Sequence, residues 1–210
     1  MKLSIRLLAA ALPLLLAACA PKEAVRPQPK ADYAVLLNEQ RAREHLLAKA
    51  DHWVLQGKIG VSGEVNGKKD GGSGTLTWTQ NGESYDFVVR GPVGSKSFKL
   101  SVTPDGAVLE GLDGGPQRSP DAESLVQNAL GWRVPLRNLR AWVLGTRADS
   151  GPAELQFGND GLPSTLTQDS WTVSYPAWNN TREPAVPSKV FAANPPYSVR
   201  LSIESWNIQQ

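Results

Sequence analysis

One thiol at position 19, two imidazoles at positions 45 and 52 and a scatter of carboxylates are the groups in this 210-residue chain that could do chemistry. His45 and His52 fall seven apart in a stretch of helical pattern, so they lie on roughly one side and could in principle share a metal. No acidic or cysteine partner accompanies them at ligand spacing, and two surface or half-buried histidines with no metal are the expectation. The rest of the chain has no histidine, which excludes a Ser-His-Asp triad or a Cys-His pair there. Gly71-Gly72-Ser73-Gly74 has the composition of a phosphate loop. It precedes a strand pattern and lacks the following Lys, so a flexible hairpin loop is expected. A carboxylate dyad stays open as an alternative. The acids are scattered over wet faces and turns, and the chain reads as a non-enzyme without a cofactor.

Cys19 is the only cysteine and stands at the end of a greasy start. Lys2 and Arg6 precede an apolar run from Leu7 to Leu16, and Leu16-Ala17-Ala18-Cys19 follows. A basic start, a short apolar stretch and small residues before a cleavage point describe a signal peptide over residues 1–18. The run is shorter than the roughly 20 residues a spanning helix needs. Leu-Ala-Ala-Cys looks like a bacterial lipobox, in which the thiol is lipidated and becomes the first mature residue. The other reading is an ordinary signal peptide with Cys19 there by chance. The two signal-peptide cations account for the formal charge of +2, leaving 20 basic and 20 acidic residues. That balance gives no support to a nucleic-acid surface. With no second cysteine to pair, stability must come from burial, and seven tryptophans offer large apolar surfaces for it.

The elements that must carry these groups follow from periodicity. Residues 19–31, rich in Pro and charge, read as a tether, and residues 32–210 as one domain. From Asp32 to about Asp51 the pattern is helical, with Leu36, Leu37, Leu46, Leu47 and Ala50 on one face, Arg41, Arg43 and Glu44 toward water, and a Glu39–Arg43 pair. From Trp53 the period is two: Trp53, Leu55, Ile59 and Val61; Leu76 and Trp78; Tyr85, Phe87 and Val89; Phe98, Leu100 and Val102. Asn-Gly at 66–67 and 81–82 and Asp-Gly at 105–106 favour hairpin turns. Two helices follow. One is capped by Ser119, with Pro120 first and Ala122, Leu125, Val126, Ala129 and Leu130 inward; the other starts near Pro135, carries Leu136, Leu139, Trp142 and Val143, and ends by Gly145. Strands resume at about 153–157, 162–168, 170–175, 188–193 and 197–206, interrupted by a Pro-rich loop from Pro176 to Pro187 that holds Trp178. The sum is mainly β with helices: a curved antiparallel sheet with helices on one side.

One apolar face gathers Leu55, Ile59, Leu76, Trp78, Phe87, Val89, Phe98, Leu100 and Leu201. Periodicity does not separate a packed core from a ligand cavity. Arg90-Gly91-Pro92-Val93-Gly94-Ser95 joins two strands, and its Pro and Gly suit a type I turn. That turn does not explain an apolar Val93 at its tip.

The lipobox, Trp53-x-Leu-x-Gly-Lys-Ile-Gly-Val61, Leu76-x-Trp-x-Gln80, Gly91-Pro92-Val93-Gly94 and the segment Gly131-Trp132-Arg133-Val134-Pro135-Leu136 through Leu139-Arg140-Ala141-Trp142-Val143-Leu144-Gly145 together resemble the LolB family of outer-membrane lipoproteins. The match runs in order over most of the mature chain. The resemblance implies an incomplete, strongly curved antiparallel β-barrel with helices covering an apolar cavity that binds acyl chains. It implies an outer-membrane lipoprotein, facing the periplasm, that receives lipoproteins from the carrier LolA. The 91–94 loop would be a protruding membrane-insertion loop whose third residue in the family is typically Leu; here it is the shorter Val93. Ala20 is not the Asp that typically retains lipoproteins at the inner membrane. The cavity would be lined by the apolar sheet face together with Leu139, Trp142 and Val143. A monomer is expected. The alternative is a lipid-tethered envelope scaffold that binds a protein partner and has a packed core.

Overall fold

The structure, a computed structural model, describes residues 29–65, 67–92 and 97–209. The signal peptide, Cys19, most of the tether, Asn66, Val93 and Gly94 lie outside the described residues. Eleven strands form one antiparallel sheet: β1 (His52–Val65), β2 (Lys68–Asn81), β3 (Ser84–Arg90), β4 (Ser97–Thr103), β5 (Gly106–Glu110), β6 (Gln117–Ser119), β7 (Ala153–Phe157), β8 (Pro163–Gln168), β9 (Trp171–Asn179), β10 (Val186–Asn194) and β11 (Tyr197–Gln209). The order is β6-β5-β4-β3-β2-β1-β11-β10-β9-β8-β7, so β11 closes onto β1 and each half is a meander. Three helices accompany the sheet: α1 (Tyr33–Leu47), α2 (Ala122–Leu130) and α3 (Leu136–Trp142).

The period-two residues do what alternation predicts. Leu55 opposes Trp78, Leu76 opposes Val89, Phe87 opposes Leu100 and Ile59 opposes Leu201, all buried on one face. Curvature comes from close approach of backbones at glycine. A Cβ at Gly57 would stand 2.2 Å from the Ser202 carbonyl, at a β1–β11 register shift. One at Gly71 would stand 2.3 Å from the Val61 carbonyl, and one at Gly74 2.5 Å from that of Arg90. Only a residue without a side chain lets the strands coil so tightly.

Gly71-Gly72-Ser73-Gly74 is therefore strand, not a hairpin loop: it pairs with Ser62, Val61, Gly60 and Ile59 of β1. The Pro-rich stretch is likewise shorter than expected. Strand β9 runs through Pro176 and Trp178 to Asn179. Pro176 is tolerated because it falls within a register shift between β9 and β10, where a missing N–H breaks no ladder bond. β5 and β6 were not expected; β6 is three polar or charged residues whose pattern carries no signal.

The helices fill the concave side. Asp32 caps α1, accepting from the Ala34 N–H at 2.7 Å. The helix ends at Leu47, so His52 belongs to β1 and not to the helix of His45; its Nδ1 meets Asp51 at 2.6 Å. The buried stripe of α1 is Leu36, Gln40, Arg43 and Leu47, while Leu46 is half exposed. Arg43 thus faces inward rather than toward water or Glu39. α2 is capped two residues later than Ser119, by Asp121, which accepts from the Ser124 N–H at 2.8 Å; Ser119 accepts from the Asp121 N–H instead. Gly131 closes α2 in the left-handed region at φ 74°. Leu125, Val126, Leu136, Leu139, Trp142, Val143 and Leu144 bury themselves against the sheet. Among the described residues, no helix is long and apolar enough to cross a membrane.

Candidate functional site

The turns alternate between two ends of the curled sheet, as antiparallel pairing requires. One end carries the β1–β2 turn, the connection between β3 and β4, the β8–β9 turn and the β10–β11 turn. α1 crosses the other end, from Tyr33 edge-on to Phe157 at 5.7 Å to Asp51, whose carbonyl accepts from the Gly82 N–H at 2.9 Å.

The interior between sheet and helices is where a ligand of apolar chemistry would sit. All twelve apolar residues singled out for the cavity are buried in one cluster: Leu55, Ile59, Leu76, Trp78, Phe87, Val89, Phe98, Leu100, Leu139, Trp142, Val143 and Leu201. They do not share one role. A void of about 20 Å³ lies beneath the α2–α3 segment. Four of the twelve line it, namely Ile59, Phe87, Phe98 and Leu100. Val61, Val126, Trp132, Val134 and Leu136 complete its wall. The other eight are packed away from the void. Val126 and Leu136 lie on helix faces readable as inward; Trp132 and Val134 sit between the helices, where no period applies. The wall is wholly apolar or aromatic. The volume matches about one water, against roughly 300 Å³ or more for a site that holds a small molecule. A hydrocarbon chain enters only if α2, α3 or the segment between them moves.

Polar groups fix the two ends of that segment. Arg137 donates to Asp121 at 2.7 Å, and its backbone N–H donates to Glu123 at 3.0 Å, which ties α3 to the start of α2. Asn138 donates to Asp169 in the β8–β9 turn at 2.6 Å. Trp142 donates to Gln168 at 3.1 Å; the Gln168 amide also donates to the carbonyls of Ala148 and Gly151. Gln80 plays the same part for Trp78, accepting from its indole and donating to the carbonyls of Gly82 and Ser84. Both glutamine amides are satisfied, as most buried polar groups are.

The residues after α3 are held to α1. Arg43 donates to the carbonyls of Leu144, Gly145 and Ala185 and to Gln40. Burial lowers its pKa to about 10, with nearby Tyr175, Glu44 and Glu183 opposing the shift, so it stays charged at neutral pH. Glu44 receives Arg147 through side chain and backbone. Burial pushes the Glu44 carboxyl up, but hydrogen bonds from Arg147 and Gln40 outweigh it and hold it below its ordinary value. The stripe Leu36, Gln40, Arg43, Leu47 has the 4-3-4 spacing of a buried helix face; that spacing could have revealed Arg43, had residue type not argued against it.

Gly91 and Pro92 stand at the rim of the first end. The pairing of Arg90 with Ser97 closes their loop, and the Gly91 N–H donates to the Ser97 hydroxyl at 3.2 Å. Among the described residues, no group of three or more His, Cys, Asp or Glu gathers that could hold a metal ion.

The sequence matches the family model described as Outer membrane lipoprotein LolB over residues 51–206. An outer-membrane lipoprotein LolB of Xanthomonas euvesicatoria pv. vesicatoria is 35% identical over 174 residues, covering 80% of this chain and 78% of its own. One from Pseudomonas putida is 31% identical over 170 residues, covering 81% of each chain. Among solved structures, a LolA superfamily protein from Nitrosomonas europaea aligns over 83% of this chain and 94% of its own at 8% identity, with a TM-score of 0.47.

Proposed function

The chain belongs to the LolB family of outer-membrane lipoproteins, and we propose that it accepts lipoproteins from the periplasmic carrier LolA and places them in the outer membrane, sheltering their acyl chains under its α2–α3 segment. The observation that carries this reading is the void walled by nine apolar residues between the concave sheet and the helices.

Each methylene is worth about 0.8 kcal/mol when withdrawn from water, so exposing several chains at once would cost tens of kcal/mol. Transfer therefore passes from one apolar shelter to the next, with small net changes at each handover. A receiver that holds the chains slightly better than the donor needs no nucleotide. An empty shelter collapses for the same reason: an open apolar groove costs about 25 cal/mol per Å² facing water. The near-closed interior is the resting state on this account. Cys19 carries the anchor at the periplasmic face of the outer membrane, the 91–94 loop meets the bilayer, and the protein works as a monomer without a catalytic step.

The small size of the void favours a second reading, a lipid-tethered scaffold with a solid core. One experiment separates the two. The chain carrying Cys19→Ala is mixed with LolA loaded with a lipoprotein and purified by its own tag. The cargo should leave LolA and copurify with the chain. Cargo that stays on LolA in the presence of folded protein would overturn the receptor reading.

A further inference from the structure

The glycines at 71–74 are only half explained by curvature. Gly71 and Gly74 face the backbone of a neighbouring strand, so a side chain there is excluded by the sheet itself. Gly72 is different. A Cβ on it would meet no backbone; it would stand 2.6 Å from the indole of Trp132. Gly63 in β1 repeats the arrangement, with the ring of Tyr197 2.7 Å from where its Cβ would be. Two aromatic rings thus lie on bare backbone, and nothing else in the fold requires glycine at these two positions.

Their place is informative. Gly72 opposes Val61, and Gly63 follows on the same face of β1, beyond the last paired residue of β3. Trp132 packs edge-on against Phe98 at 5.9 Å and forms part of the void's wall with Ile59 and Val61. It is only partly buried, whereas the other eight residues of the wall are buried. Trp142, the other tryptophan of the segment, is fully buried and hydrogen-bonded to Gln168. Gly63 and Gly72 lie toward the end of the sheet where Arg90 pairs with Ser97.

We propose that Trp132 is a removable stopper and that the side-chain-free backbone at Gly63 and Gly72 is the port through which a hydrocarbon tail enters and leaves the void. The proposal rests on the acyl-binding reading above. An indole lying on backbone and a polymethylene chain in its place each need one carbon layer, about 3.5–4 Å between carbon centres, so a swing of the ring vacates a slot of the right thickness. A tail leaving by this slot emerges at the end of the sheet that holds Gly91 and Pro92 rather than at the α1 end.

Stopped-flow binding of a fluorescently labelled palmitate to the Cys19→Ala chain tests it. Gly72→Ala unseats the ring and Trp132→Ala removes it. Both should raise the association and dissociation rates at least threefold, and Trp132→Ala, which also removes part of the wall, should raise dissociation the more and so weaken Kd. The double variant should be no faster than Trp132→Ala alone, because an alanine at 72 acts only through the indole. Gly60→Ala, on the opposite face of β1 with nothing within 4 Å of its Cβ, should change neither rate. Urea midpoints taken alongside identify any variant that fails to fold, and either of the two remaining variants then decides the matter. Unchanged rates in folded variants that bind the probe would overturn the port and leave the acyl reading standing. Failure of the unsubstituted Cys19→Ala chain to bind the probe would overturn both.

Discussion

The guanidinium of Arg43 lies 4.7 Å over the ring of Trp178, and Gly145 lies against both. A Cβ on Gly145, whose φ is +70°, would stand 2.3 Å from the indole and 2.9 Å from the guanidinium. The carbonyls of Leu144, Gly145 and Ala185 all accept from this one side chain, and that of Gly145 accepts from the Gln40 amide as well. Arg43→Ala takes this donor from the Leu144 and Ala185 carbonyls and leaves Gly145 with Gln40 alone, and a buried unsatisfied acceptor costs about 1–3 kcal/mol. The expected loss is about 3 kcal/mol, read as a lower urea midpoint at unchanged slope. Arg43→Lys should recover only part, since one ammonium cannot span carbonyls that a planar fork reaches. A loss under about 1 kcal/mol for the alanine variant would mean that α1 is not held this way.

Glu44 and Arg147 make the pH dependence of the same junction. The folded Glu44 carboxyl titrates below its ordinary 4.5, so its contribution is complete above that pH and fades as the pH falls toward the folded value. At neutral pH, Glu44→Gln should cost on the order of 1 kcal/mol. The gap between the two proteins should narrow steadily below about pH 4.5. Thermal melts from pH 7 to pH 3 check it; a gap that stays constant would assign the cost to packing instead of charge.

The strands were legible because alternation is a property of neighbours in sequence. Trp53, Leu55, Ile59 and Val61 announce one buried face whatever lies opposite, and Gly82 at φ 58° is the hairpin its Asn-Gly pair demands. What escaped depends on partners far along the chain. Arg43 reads as a surface cation until the carbonyls of Leu144 and Ala185, more than 100 residues away, arrive to receive it. Gly72 reads as a loop residue until Trp132 lies on it. The apolar face was visible, but which of its members line a void was not: Leu55 and Phe87 alternate alike, and only the latter borders it.

Leu100 and Trp142 are both buried and apolar, yet only Leu100 borders the void. Leu100→Asn puts an amide into the wall and should weaken binding of the labelled palmitate at least tenfold, about 1.4 kcal/mol. Trp142→Phe deprives Gln168 of its indole donor at 3.1 Å and should cost about 1–3 kcal/mol of stability while leaving affinity within twofold. Equal weakening of binding by both would place the acyl site elsewhere than the void.

Val93→Glu separates delivery from folding. The loop is closed by the Arg90–Ser97 pair and by the Gly91 N–H on the Ser97 hydroxyl, neither of which uses residue 93. The melting temperature should therefore stay within about 2 °C of the parent. A carboxylate entering the apolar layer costs about 2.5–3.5 kcal/mol on the insertion scale, where valine gains a few tenths. Transfer of a lipoprotein from loaded LolA to liposomes should fall at least tenfold, while cargo still moves from LolA to the protein. Val93→Leu, with one more buried methylene, should deliver at least as well as the parent. Loss of both steps in Val93→Glu would mean the loop acts in taking the cargo, and normal delivery would remove it from contact with the bilayer altogether.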